Sequence, residues 1–245
     1  DYKITTSALL AIESLREQGH IIVLATGRNP ENSDSRQFVD IVKPDAVIGL
    51  NGTLVKVGEE KIFEHFFDKD VLRGLAKYVE GKECSIGLTL EDKDYFFNPH
   101  IIDAYDFKRW GQHFRKFYPA EELFDLPIRT LTYIGPVEGA KDIEKKFPTL
   151  KLPLFAGMFG ADVVEKVASK AEGLKRLCNY FGVDLKDTVS FGDSMNDKEI
   201  LEESGLGIAM GNSIEELKQY ADYVTENIAD DGVFNALVKF GFINT

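Results

Sequence analysis

Cysteine is nearly absent from this chain. Its two cysteines, Cys84 and Cys178, are far apart and have no metal-ligand spacing around them. That excludes a disulfide-stapled scaffold and a cysteine-rich metal site, and each thiol is expected to be buried or free, as in a reducing cytosol. The four histidines (His20, His65, His100, His113) form no metal-binding pair. No apolar run is long enough to span a bilayer. Positive charge is in short supply, with 29 Lys and Arg against 41 Asp and Glu and a net charge of −12. This argues against nucleic acid or an anionic membrane as partner, and the Lys and Arg residues are spread along the chain. Internal repeats and low-complexity tracts are also missing. What remains is an ordinary globular composition, 44% hydrophobic over 245 residues, enough for one large domain or two of common size.

The most informative segment is Ser190-Phe191-Gly192-Asp193-Ser194-Met195-Asn196-Asp197. A β-prone run stops at a glycine, two carboxylates and an amide follow, and a helical pattern begins. This predicts strand, tight turn and helix, with the turn at the carboxyl edge of a sheet, where α/β proteins bind ligands. Acid-rich loops at that edge hold hard cations through oxygen. The same residues would also serve as a turn and helix cap, so the octet alone leaves both readings open.

Periodicity predicts a helix over 5–18, a strand over 20–25 buried on both faces, a helix over 30–42 and a buried strand over 46–50. That order is parallel βαβ winding. The pattern changes near Gly58. Alternating strands (85–90, 95–98, 129–134, 152–155, 163–167) and helices (69–80, 101–116, 137–146) then predict an inserted α+β segment. Trp110, Phe107, Phe114 and Phe117 lie there at roughly helical spacing and are expected in a helix core, with a substrate-facing aromatic patch as the alternative. From 171 onward the βαβ rhythm resumes, with helices over 171–181, 197–203, 214–220 and 232–239 and strands over 188–191, 207–209 and 223–225.

Parallel winding would bring Thr26-Gly27-Arg28 to the same sheet edge as Gly192–Asp197, with Lys170 where the insert rejoins the core. A hydroxyl, backbone N–H groups, an ammonium and a cation-binding carboxylate together suit a phosphate group. Lys170 is expected to be an exposed side chain whose loss leaves the fold intact.

These segments resemble the haloacid dehalogenase superfamily, specifically its Cof-type phosphatases with a type II cap. The matching pieces are Ala25-Thr26-Gly27-Arg28, Asn51-Gly52-Thr53, Ser169-Lys170, Gly192-Asp193-Ser194-Met195-Asn196-Asp197, Ala209-Met210-Gly211-Asn212-Ser213 and Asp230-Asp231-Gly232-Val233. The resemblance implies an α/β fold, a Rossmann-like parallel-sheet core over 1–59 and 167–245 with an α+β cap over 60–166 above the carboxyl edge of its sheet. It implies Mg²⁺-dependent hydrolysis of small phosphorylated metabolites, sugar phosphates or nucleotides, in a cytoplasmic monomer or weak dimer. Thr26, Gly27, Arg28, Asn51, Lys170 and Asn196 would contact the phosphorylated substrate, and Lys170 and Thr26 would be the catalytic residues. Asn196 would contact phosphate or orient Lys170. Asp193 would bind Mg²⁺, and Asp197 would serve the same metal site by bracing the loop.

The chain departs from the family in one respect. The family's nucleophile and general acid sit in an Asp-x-Asp-Gly-Thr motif after a central first strand, and neither is present. A strand carrying that motif is expected upstream of Asp1. Two rival readings are a phosphomutase on the same scaffold and a non-catalytic phosphometabolite-binding protein.

Overall fold

The computed structural model describes residues 4–155 and 159–244. The chain divides into two compact units, one made by the segments up to Glu64 and from Ala168 onward, the other by His65–Val167.

The first unit opens with helix Thr6–Glu17, started by Thr5, whose hydroxyl accepts from the Ala8 N–H. Strand Val23–Ala25 pairs in parallel with Ala46–Gly49, and helix Ser33–Val42 connects them. Ala46–Gly49 is fully buried. Ala46 and Ile48 pack with Val55 and with Ala171, Leu174 and Leu177 of helix Lys170–Phe181. The pattern change near Gly58 turns out to mark a hairpin. Gly58 takes a left-handed φ of 55°, and the turn joins Leu54–Val57 to Glu60–Glu64. Residues 60–64 thus extend the first sheet. Their charges, Glu60, Lys61 and Glu64, lie on its outermost strand and hide the hydrophobic pattern. A second sheet pairs Val189–Gly192, Leu206–Ala209 and Tyr223–Val224 in parallel.

Val23–Ala25 and Val189–Gly192 are each the end strand of their sheet among the described residues. The expectation of a strand over 20–25 buried on both faces is corrected accordingly. It starts only at Val23, its three residues are half-buried, and Ile21 is 40% exposed. With one neighbour strand, half of its backbone and flank is uncovered.

The second unit is an α+β layer. Its sheet runs in the order Phe117–Tyr118, Lys93–Phe97, Ser85–Leu90, Leu131–Ile134, Ala161–Glu165, Leu150–Lys151, antiparallel except for the first pair. Helices Lys69–Val79 and Val137–Lys146 cover one face, burying Leu72, Leu75, Val79 and Ile143 against Tyr133 and Leu150. Each such leucine contributes roughly 1.5–3 kcal/mol. Strand alternation sends Phe96 and Ile134 to the other face, where helix Pro99–Trp110 packs through Ile102. Glu165 ties the unit's first and last segments together. Its buried carboxylate accepts the Asp68 N–H at 3.0 Å and meets His65 Nε2 at 2.7 Å.

Two expectations fail here. The strand foreseen over 152–155 is Leu150–Lys151, and only an isolated bridge from Leu154 to Ala161 follows it. The helix foreseen over 101–116 stops at Trp110, because Gly111 turns left-handed at φ 74° and returns its N–H to the Phe107 carbonyl. The aromatic residues read as helix core are therefore exposed: Phe107 by 49%, Trp110 by 59%, Phe114 by 51% and Phe117 by 38%. A helical wheel drawn through Gly111 assigns the last two to a face that does not exist.

Candidate active site

The sequence-predicted residues of the first unit meet at the ends of its strands. Thr26 follows strand Val23–Ala25, donates its N–H to the Ile48 carbonyl at 2.8 Å and accepts the Arg28 N–H on Oγ1 at 3.0 Å. The next loop braces this turn. Leu50 and Asn51 donate their N–H groups to the Arg28 and Thr26 carbonyls, both at 3.1 Å. To do so the chain takes three left-handed residues in a row, Leu50 (φ 51°), Asn51 (φ 54°) and Gly52 (φ 96°). Asparagine and glycine tolerate that region. Leucine does not, and strain of this kind persists only where the surroundings hold it. A Cβ on Gly52 would sit 2.1 Å from the Ser169 carbonyl oxygen, so this loop lies directly against the start of helix Lys170–Phe181.

Ser169 caps that helix by accepting the Glu172 N–H on its hydroxyl. Lys170 is its first residue. The expected exposed lysine is instead buried, with Nζ 2.5 Å from Asp197 Oδ1, and Asp197 is buried as well. The other oxygen, Oδ2, accepts the N–H groups of Asp193 at 3.0 Å and Ser194 at 3.2 Å. Ser194 and Asp197 form a reciprocal capping box. Both Asp197 oxygens are thus engaged, and as placed this residue braces the loop. Asn196 Nδ2 donates to Asn51 Oδ1 at 3.0 Å, and its own Oδ1 accepts the Ser194 hydroxyl. Gly27 completes the contact. A Cβ there would lie 3.1 Å from Asn51 Oδ1 and 3.4 Å from Asn196 Nδ2.

One connected network therefore runs from Thr26 and Gly27 through Asn51, Asn196 and Ser194 to Asp197 and Lys170. Asp197, rather than Asn196, orients Lys170. Arg28 is exposed, with its guanidinium 5.8 Å from the Phe38 ring. Sequence reasoning missed Ser194 and the backbone of Leu50. The Ser-x-x-Asp spacing signals the first; nothing local signals the second.

Asp193 is exposed on the loop surface, with protein on its remaining sides. Burial pushes its carboxyl up from the ordinary range and the Asp197 carboxylate adds to this, while Lys170 pulls the other way. Nearby, Ile214 donates its N–H to the Asp193 carbonyl, and the buried Ser213 hydroxyl has no hydrogen-bond partner. A carboxylate whose charged form burial disfavours suits a hard cation held by oxygen. Mg²⁺ takes only one or two protein carboxylates and fills its octahedron with water and phosphate oxygen. Asp193 fits as one ligand. No group of three or more His, Cys, Asp or Glu side chains able to hold a metal occurs among the described residues.

A family model described as haloacid dehalogenase-like hydrolase matches residues 1–237. A phosphatase of Bacillus subtilis acting on 5-amino-6-(5-phospho-D-ribitylamino)uracil is 25% identical, over 98% of this chain and 92% of that protein. Phosphoglycolate phosphatase of Methanobrevibacter smithii is 27% identical, over 96% and 89%. The solved structure of a subclass IIB sugar phosphatase of the same superfamily superposes with a TM-score of 0.82 at 28% identity, covering 99% of this chain and 94% of that one.

Proposed function

The chain belongs to the haloacid dehalogenase-like hydrolase family, and from that premise we propose that it hydrolyses small phosphorylated metabolites, sugar phosphates or nucleotides, with the help of Mg²⁺. The enzyme is a phosphoric monoester hydrolase, the activity that its relatives and structural neighbours are named for. The observation that carries the reading is the network joining the Thr26-Gly27 turn to Lys170 and Asp193. It collects the donors and the oxygen ligand that a transferring phosphoryl group requires.

In this reading Thr26, Gly27 and Arg28 receive the phosphoryl oxygens. Asn51 and Asn196 present the amide edge of the site. Lys170, aimed by Asp197, meets developing negative charge with its remaining N–H groups. Asp193 would hold Mg²⁺, which when bound neutralises charge on the phosphoryl oxygens. In this family the nucleophile is an aspartate of an Asp-x-Asp motif, and the proposed activity requires such a residue. Its carboxylate attacks phosphorus and displaces the alcohol, to which the second aspartate gives a proton. Water then hydrolyses the aspartyl-phosphate. The segments up to Glu64 and from Ala168 onward form the catalytic core, and His65–Val167 act as a type II cap that selects the substrate. Both cysteines are buried free thiols, in keeping with a reducing, cytoplasmic setting.

The test is phosphate release from a panel of sugar phosphates, nucleotides and phosphoglycolate, by a polypeptide carrying the Asp-x-Asp strand, with and without Mg²⁺. Hydrolysis that needs Mg²⁺ and falls strongly in Thr26→Ala supports the reading. No release from any member, or release indifferent to Asp193→Asn, overturns it.

A further inference from the structure

The even spread of basic residues is broken once. Residues 107–118 read Phe-Lys-Arg-Trp-Gly-Gln-His-Phe-Arg-Lys-Phe-Tyr, with five aromatic residues, four Lys or Arg and no acid, in a chain of net charge −12. All five rings are exposed by more than a third. Tyr118 is in register with Tyr95 and meets Lys93, on the sheet face covered by helix Lys69–Val79, so the strip consists of Phe107, Trp110, Phe114 and Phe117. A group of exposed rings marks a contact surface where an isolated one needs no explanation.

The strip is held in place from beneath. Arg115 is clamped by Asp94 at 2.7 Å and Asp106 at 2.5 Å, with Phe96 and Phe114 rings on its flanks at 5.2 and 5.5 Å. His113 pairs with Asp103 at 2.8 Å and stacks on Phe107, with ring centres 4.6 Å apart and an interplanar angle of 16°. Arg109 donates to the Tyr105 hydroxyl at 3.1 Å and lies 5.0 Å from the Trp110 ring. Tyr105 in turn stacks on Phe159 at 5.3 Å. His113 and Arg109 thus back one face of Phe107 and of Trp110 and hold these two rings in place before anything binds, which lowers the entropic cost of stacking on their other faces.

We propose that this strip of the insert is a binding site for a mononucleotide-class ligand, an aromatic base carrying a phosphate. Exposed rings stack on a base, and neighbouring cations attract its phosphate. A sugar phosphate fits less well. Sugar hydroxyls need acceptors and donors, yet Gln112 is the strip's one neutral amide, and the nearby carboxylates Asp103 and Asp106 are engaged by His113 and Arg115. A polyanion also fits less well. With Arg115 and His113 so held, the strip offers Lys108, Arg109 and Lys116, the last loosely paired with Asp92 at 3.4 Å. Three cations suit one phosphate, and the remaining charge of the chain repels a long anionic strand or surface.

This site is inferred independently of hydrolysis, and its test involves none. Trp110 is the chain's single tryptophan, so its fluorescence reports on the strip directly. Titration with AMP and GMP should quench it saturably in the micromolar to millimolar range. Adenosine should bind more weakly, and glucose 6-phosphate should leave the signal flat. Phe107→Ala should weaken AMP or GMP binding about tenfold, and Lys108→Glu should remove the preference for AMP over adenosine. The inference is overturned if neither nucleotide quenches saturably, if glucose 6-phosphate acts equally, or if Phe107→Ala changes nothing. It is also overturned if single-stranded oligodeoxythymidine or anionic phosphatidylserine vesicles bind more tightly than the mononucleotides. Nucleotide binding by a protein that releases phosphate from no member of the panel would refute the proposed activity and leave this site standing.

Discussion

The buried Lys170–Asp197 pair makes the sharpest energetic prediction. Read from sequence, Lys170 is an exposed catalytic lysine whose loss leaves the fold intact. In the structure it is a buried ammonium 2.5 Å from a buried carboxylate. Removing one member of such a pair leaves an uncompensated charge in low dielectric, at a cost of about 3–5 kcal/mol, whereas replacing both is often close to neutral. The two single changes should differ. Lys170→Met leaves Asp197 with its two backbone N–H donors, from Asp193 and Ser194, and should cost about 2–3 kcal/mol, because those donors compensate part of the charge. Asp197→Asn leaves the ammonium facing an amide and should cost about 3–5 kcal/mol. The double variant should cost less than Asp197→Asn alone, giving a coupling energy of more than about 2 kcal/mol. Urea denaturation of the four proteins, followed by far-UV circular dichroism, measures the cycle. If the two single costs add to the double within about 0.5 kcal/mol, the residues are not coupled. The reasoning would then be wrong whatever happens to activity.

Three further outcomes follow from the same structure. Asp68 accepts the N–H groups of Val71 and Asp70 at the start of helix Lys69–Val79, which hold its carboxyl below the usual range. A depressed folded-state value contributes stability above the ordinary carboxylate pKa and loses it as pH falls. The deficit of Asp68→Ala in urea midpoint should therefore be full at pH 7 and shrink below about pH 4; a deficit independent of pH would refute the cap. Gly52→Ala should destabilise by about 3 kcal/mol or more, because its Cβ meets backbone at 2.1 Å and no rotamer relieves that. Gly58→Ala, with open space around it, should cost about 1 kcal/mol for its left-handed φ alone, and thermal melts of the two variants compare them. Asn51→Gly keeps the left-handed backbone and deletes the amide that receives Asn196, so it should be more stable than Asn51→Ala by about 1–2 kcal/mol. Both variants should lose affinity for inorganic phosphate by calorimetry, and retention of wild-type affinity would remove Asn51 from the site.

Local signals carried the parts of this fold that depend on local chemistry. Helices Val137–Lys146 and Gly232–Lys239 and strand Ser85–Leu90 have the bounds that periodicity predicts. Glycine and the Asp-Ser-Met-Asn-Asp run mark the site loop, because a turn that must expose backbone N–H groups needs those residue types. The failures are nonlocal. The partner of Lys170 is 27 residues away, and no spacing rule foretells that the side chain folds inward. The hairpin around Gly58 is hidden by the charges of its edge strand, which keep an exposed edge soluble and erase the alternation that would reveal it. The aromatic residues around Trp110 mislead for the opposite reason: their spacing is helical, and one left-handed glycine cancels its meaning.

The pairing of Lys170 does not remove it from phosphate chemistry. An ammonium has three donors, and Asp197 takes one of them. That bond fixes the direction of a long, rotatable side chain whose entropy would otherwise have to be lost when substrate binds. Asp197 can do this because its second oxygen is held by the Asp193 and Ser194 backbone, so the ammonium is anchored to the same loop that carries Asp193. Asn196, one residue earlier, anchors that loop to Asn51, and Asn51 to the Thr26 carbonyl. Each group expected to touch phosphate is thus tied to the others through backbone or through buried side chains. A displacement of any one loop should degrade all of the contacts together, which is the behaviour expected of a preorganised electrostatic site and not of a set of independent surface residues.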